Sequence, residues 1–126
     1  FDREADETFE NRLGMVAPLY NSRTGIAYKH FAKHFGNKPA KKKIHIDIVP
    51  KLATGIGYEG ENAILDTMEG VRAEQSSCVR MYAFCLDPDA DEDTLCRIYG
   101  SGNYQKVDNP ADLPKMLLSM YRVLAL

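Results

Sequence analysis

The chain has 126 residues, 44% hydrophobic and 27% charged, with 16 basic against 18 acidic side chains and a net charge of -2. That size and balance fit a single domain with its own core and exclude a disordered chain. The pI near 5.9 argues against nucleic acid as the main partner, because phosphate binding draws on a basic excess. No apolar run approaches the roughly 20 residues of a membrane helix, and no signal-peptide pattern is present.

In chain order, an acidic start leads to a helical pattern in which Phe9, Leu13 and Val16 share one face and Pro18 ends the helix. Ser22 is a good N-cap for a second helix running to about Phe35, whose Ala27, Phe31, His34 and Phe35 are expected to face a core. Gly36-Asn37-Lys38-Pro39 stops it. Lys41-Lys42-Lys43 reads as a solvated loop rather than a docking patch. Lys43 to Val49 is a strand with Ile44, Ile46 and Ile48 on one face and His45, Asp47 and Val49 on the other.

Pro50 to Gly60 is a glycine-containing loop before a helix from Glu61 to Gln75 that buries Ile64, Leu65, Met68 and Val71. The strand Val79 to Leu86 follows, then a turn at Asp87-Pro88-Asp89, a helix through Leu95, Ile98 and Tyr99, and a last strand at Tyr104 to Val107. Asn109 can cap the final helix, Pro110 suits its first turn, and Leu113, Met116, Leu117, Met120, Tyr121 and Leu124 form one apolar stripe.

Strands separated by helices imply a parallel sheet with helices on both faces, a three-layer α/β domain with about three strands and four to five helices. The strand at Ile44 to Val49 alternates with polar residues, unlike a central parallel strand. It is expected to be an edge, free to pair with another chain, or to have its neighbour outside this sequence.

Three constellations bear on chemistry. Gly55-Ile56-Gly57-Tyr58-Glu59-Gly60 spells G-x-G-x-x-G, the pattern that lets amides approach a pyrophosphate, which makes a nucleotide-binding α/β enzyme the alternative reading. Five residues separate it from the strand, and Glu59 puts a negative charge beside the phosphates; an ordinary loop explains it as well. His30 and His34 share a helix face and could form half of a zinc site, but surface histidines are the plainer account. Asp87, Asp89, Asp91, Glu92 and Asp93 could hold a divalent cation, yet turn and capping chemistry alone predicts acids there. Cys78, Cys85 and Cys96 lack C-x-x-C spacing and an even count, which suggests reduced thiols in a cytoplasmic protein.

Leu86-Asp87-x-x-Ala90-x-x-x-x-Leu95-x-x-Ile98-Tyr99-Gly100, then Tyr104-x-x-Val107 and Asp112-Leu113-Pro114-x-x-Leu117-x-x-x-Tyr121-Arg122, resembles the C-terminal end of von Willebrand factor A domains, above all those of the nitric oxide reductase activation (NorD) family and similar rubisco-activation proteins. Ser22 to His30 is similar to that family's Thr-Arg-x-Gly-x-Ala-x-Arg-His, and Tyr58-Glu59-Gly60 with Asp66-Thr67 to the segment after its fourth strand.

The resemblance implies a non-enzymatic interaction module whose partners are a MoxR-type AAA+ ATPase and a metalloenzyme complex. It also implies a magnesium adhesion site, of which Ser22 falls at the threonine position. Pro50-Lys51 falls at the Asp-Gly position, so neither ligates a cation. The Asp-x-Ser-x-Ser motif is absent, because the sequence starts at Phe1 after the place where it should stand. The implied site is degenerate, and magnesium needs an upstream segment carrying that motif. Partner contacts are expected at Ser22, Arg23, Thr24 and Lys51, on loops gathered at the carboxyl ends of the strands.

Overall fold

The structure, a computed structural model, describes residues 7–17 and 23–125. Its elements run α1 (Glu7–Gly14), α2 (Thr24–Gly36), β1 (Lys43–Val49), α3 (Gly60–Ser76), β2 (Val79–Cys85), α4 (Glu92–Tyr99) and β3 (Tyr104–Lys106). A 3-10 turn at Pro110–Asp112 then leads into α5 (Leu113–Ala125). The three strands are parallel in the order β1-β2-β3.

Local chemistry sets the element ends. The Asp91 carboxylate caps α4 by accepting from the Thr94 amide at 2.8 Å, and Gly100 leaves that helix at φ 82°. Asn109 Oδ1 accepts from the Ala111 amide at 3.1 Å and starts the turn into α5. Arg23 stands at the α2 N-cap without a side-chain capping bond. The expected cap, Ser22, lies outside the described residues.

β2 is the middle strand, and its alternation sorts the core into two layers. Met81, Ala83 and Cys85 face α2, α3 and α4, joining Tyr28, Ala63, Val71, Leu95, Ile98 and Tyr99. Phe84 and the flanking Tyr82 and Leu86 face α5, against Met116, Leu117, Met120 and Leu124. Covered on both sides, β2 reads as a near-continuous apolar run. The three-layer α/β reading holds, and β1, whose sequence alternates, is an edge of the described sheet.

Three side-chain assignments differ from expectation. Helix α2 turns Gly25, Tyr28 and Ala32 inward, while Ala27, Phe31, His34 and Phe35 are exposed. The reason is proximity: a Cβ on Gly70 would lie 2.7 Å from the Gly25 carbonyl oxygen, so α2 and α3 cross closely on their small residues. On α3, Val71 is buried and Ile64 and Met68 are partly buried, but Leu65 is exposed, its place taken by Ala63, Thr67, Gly70 and Glu74. On α5, Tyr121 points to solvent although the rest of its stripe packs on Phe84. In β1 the face toward the helices carries His45, Asp47 and Val49, and the isoleucine face is left open, with Ile46 37% and Ile48 46% exposed.

Candidate functional site

At the carboxyl ends of the strands the chain is tied together by backbone and by charge. The Val49 carbonyl accepts from the Leu86 amide and the Cys85 carbonyl from the Val107 amide, both at 2.8 Å. The Asp87 side chain is buried. Its Oδ2 accepts from the Leu52 amide at 2.9 Å, and its Oδ1 accepts from the Asp89 amide at 3.1 Å and from Lys51 Nζ at 2.9 Å. Burial works against the Asp87 charge, but these donors outweigh it and hold the carboxyl below its ordinary range. Lys51 Nζ also reaches Asp89 at 2.8 Å. Its hydrogen bonds to Asp89 and Asp87 raise the ammonium well above the usual lysine value. The acidic turn is thus an anchor for the loop after β1 and a cap for α4.

The other end of that loop meets the start of α2. Tyr58 is buried and its hydroxyl sits between three groups, accepting from the Gly25 amide at 3.2 Å and lying 2.9 Å from Asp66 Oδ2 and 3.0 Å from Thr67 Oγ1. The Arg23 guanidinium lies over the Tyr58 ring, 6.0 Å from its centroid. A cavity of about 420 Å³ opens here, with Arg23, Ile26, Tyr58, Glu59, Asn62 and Asp66 among its lining residues. Lys29 bridges Asp66 and Glu69 at 2.8 and 2.9 Å, and that hydrogen bond is the main cause of the lowered Asp66 carboxyl.

Of the expected contact residues, Arg23 and Thr24 therefore stand at the α2 start beside Tyr58, and Lys51 stands at the far end of the same loop, engaged by two carboxylates. Ser22 lies outside the described residues. In the glycine-rich loop, the Tyr58 amide closes a turn onto the Gly55 carbonyl at 2.9 Å. Residues 50–59 separate β1 from α3, and Glu59 and Glu61 crowd the helix N-terminus with negative charge. That geometry is ill suited to phosphate.

His30 and His34 stack on the exposed side of α2 with ring centroids 6.3 Å apart. Among the described residues no group of three or more His, Cys, Asp or Glu side chains is placed to hold a metal ion. The three cysteines are free thiols, Cys85 buried and Cys78 and Cys96 exposed. No helix of the described residues is long and apolar enough to cross a membrane.

On the side of the sheet that packs against α2, α3 and α4 lies a polar layer that sequence reasoning did not find. Tyr28 donates to Asp47, and its oxygen lies 3.1 Å from that of Tyr99. His45 Nδ1 stands 2.8 Å from Glu74 Oε1, with the Phe31 ring stacked 4.7 Å away. Burial drives the Tyr28 and Tyr99 hydroxyls far above their ordinary range, and the Asp47 charge adds to both. One signal was available: Ala63, Thr67, Gly70, Val71 and Glu74 follow helical spacing on one face, so Glu74 belongs to the buried side once Val71 does.

No family model and no solved structure matches the chain. Among curated proteins it is similar to Protein NorD of Brucella suis biovar 1 (strain 1330), 29% identical over 126 residues, 99% of this chain and 20% of that protein. Protein NorD of Brucella melitensis biotype 1 is likewise 29% identical over the same share. An uncharacterized protein of Pseudomonas aeruginosa is 26% identical over 97% of this chain. The chain spans about a fifth of the length of these relatives.

Proposed function

We propose that the chain is a non-enzymatic protein-interaction module of the NorD kind, working in the cytoplasm with a MoxR-type AAA+ ATPase to activate or assemble a metalloenzyme such as nitric oxide reductase. The observation that carries this reading is the similarity to NorD proteins along nearly the whole chain. The geometry supports docking rather than chemistry. Arg23, Thr24 and Lys51 border one loop at the carboxyl end of the sheet, where parallel α/β folds present their ligand surfaces, and the side chains around them are held by hydrogen bonds and ion pairs.

Within this reading Ser22, Arg23, Thr24 and Lys51 touch the ATPase. The adhesion site of von Willebrand factor A domains is degenerate, since the position expected to carry an acid after β1 carries Pro50-Lys51. An ammonium beside Asp87 and Asp89 already neutralises the carboxylates nearest that position. Magnesium would return only with an upstream Asp-x-Ser-x-Ser segment.

The test is binding of the cognate ATPase to charge-reversed Arg23→Glu and to Ser22→Ala with Lys51→Glu, followed by calorimetry. Affinity reduced at least tenfold is expected. Unchanged affinity in both variants would place the contact surface elsewhere.

A further inference from the structure

The sequence separates its charges. Between Glu10 and Asp47 stand eight of the 16 basic residues and none of the 18 acidic ones, while the rest of the chain sets eight basic side chains against 18 acidic ones. The fold gathers much of that excess in one place. Helix α2 ends beside the start of β1, where Lys43 Nζ donates to the Gly36 carbonyl at 2.5 Å. On the last turns of the helix and just past it, His30, Lys33, His34, Asn37 and Lys38 are all exposed and line a cavity of about 480 Å³. Each of these side chains can donate a hydrogen bond, and none is a carboxylate. Lys38 also lines the adjoining groove with Lys42 and Lys43, so the cationic surface runs on into the turn before β1, which adds the exposed Lys41.

Among the described residues Lys33, Lys38 and Lys41 form no ion pair. The dipole of α2 favours cations in its last turn and accounts for Lys33 and His34. That effect fades within a turn, and Lys41 and Lys42 lie beyond it. A strand added beside β1 would extend the sheet, and the sheet lies on the side of α2 that carries Tyr28 and Ala32. At about 100° per residue His30, Lys33, His34 and Asn37 fall on the opposite side of the helix, so such an extension does not reach them.

We propose that this surface docks a short carboxylate-rich segment of a partner protein, whose Asp or Glu side chains pair with Lys33 and Lys38 and accept from the flanking imidazole and amide N–H groups. Charge sets the length of the partner. A long nucleic acid strand or a lipid plane extends past the patch and meets the surplus of acids on the rest of the chain, whereas a short segment ends before it. The surface lies at the opposite end of α2 from Arg23 and Thr24 and stands without the ATPase-docking reading.

A labelled octaglutamate peptide titrated into the intact chain at about 0.05 M salt, followed by fluorescence anisotropy, tests the surface. Saturable binding is expected, and Lys33→Glu with Lys38→Glu should weaken it by at least about tenfold. Lys33→Gln with Lys38→Gln, which places no new charge at the helix end, should lose less. Lys115→Glu with Arg122→Glu, at exposed positions of α5, changes the net charge as much as the first pair and should leave the affinity close to native. A native chain without saturable binding, or equal losses in the two charge-reversed pairs, overturns the proposal. So does tighter binding of a single-stranded oligonucleotide or of phosphatidylserine vesicles, which reassigns the patch to nucleic acid or to a membrane surface.

Discussion

His45 Nδ1 lies 2.8 Å from Oε1 and 2.9 Å from Oε2 of Glu74, whose side chain is fully buried. Burial opposes the charge on His45, but the hydrogen bond and charge of Glu74, with Asp47 nearby, raise its pKa above the ordinary histidine value. A histidine whose pKa is higher folded than unfolded adds stability that is complete below about pH 6.5. That stability is lost as pH rises through the folded pKa. Urea midpoints should therefore fall on alkalinisation across that window, and the slope should flatten in His45→Gln. His45→Ala should cost about 3 kcal/mol, because it strands a buried carboxylate. A flat midpoint in the native chain across that window would contradict the assignment.

Where α2 crosses α3, a Cβ on Gly70 would fall 2.7 Å from the Gly25 carbonyl oxygen and 2.8 Å from the Tyr28 Cβ. Neither neighbour is the loose end of a side chain. Gly70→Ala should destabilise by about 1–3 kcal/mol through overpacking, despite the helix propensity it gains. Gly14→Ala, at the end of α1 with open space around it, is the control and should not. Equal denaturation midpoints for the two variants would refute the close crossing.

The same crossing explains what the sequence did and did not disclose. Strand and helix positions follow from apolar periodicity and from capping residues such as Asp91 and Asn109, and β1 begins and ends at Lys43 and Val49 as expected. Facing was harder where the interface is made of small residues. Phe31 and Phe35 outrank Gly25 and Ala32 in hydrophobicity, yet only the small pair permits the helix approach, so the aromatic face was mistaken for the buried one. Glu74 and Asp47 escaped for a related reason: each looks like surface until its partner, His45 or Tyr28, is placed opposite by tertiary packing. At the carboxyl ends of the strands Lys51 was legible as a cation, but its engagement by Asp87 and Asp89, distant in sequence, was not.

Among the described residues, helix α5 covers the second face of β2, with Met120 7% exposed against the fully buried Phe84. Met120→Ala should cost about 2–4 kcal/mol by leaving a cavity under β2. Asn109→Ala removes the acceptor for the Ala111 amide and should cost about 1 kcal/mol. The two sites sit at opposite ends of the helix, so the double variant should lose close to the sum. Thermal unfolding followed by circular dichroism separates these values, and a Met120→Ala chain as stable as the native one would show that α5 does not seal that face.

Asp87 joins the loops after β1 and β2 through the Leu52 and Asp89 amides and the Lys51 ammonium. Replacing it by alanine leaves the buried Leu52 amide without its acceptor and should cost about 1–3 kcal/mol. Asparagine keeps an acceptor for one amide and should cost less. Because the folded carboxyl is held below its ordinary range, its contribution is complete above the unfolded value near pH 3.9. It disappears as pH falls through the lower folded value. Acid unfolding of the native chain should accordingly include a step that Asp87→Asn lacks, and superimposable acid profiles would rule Asp87 out as the anchor of that end of the sheet.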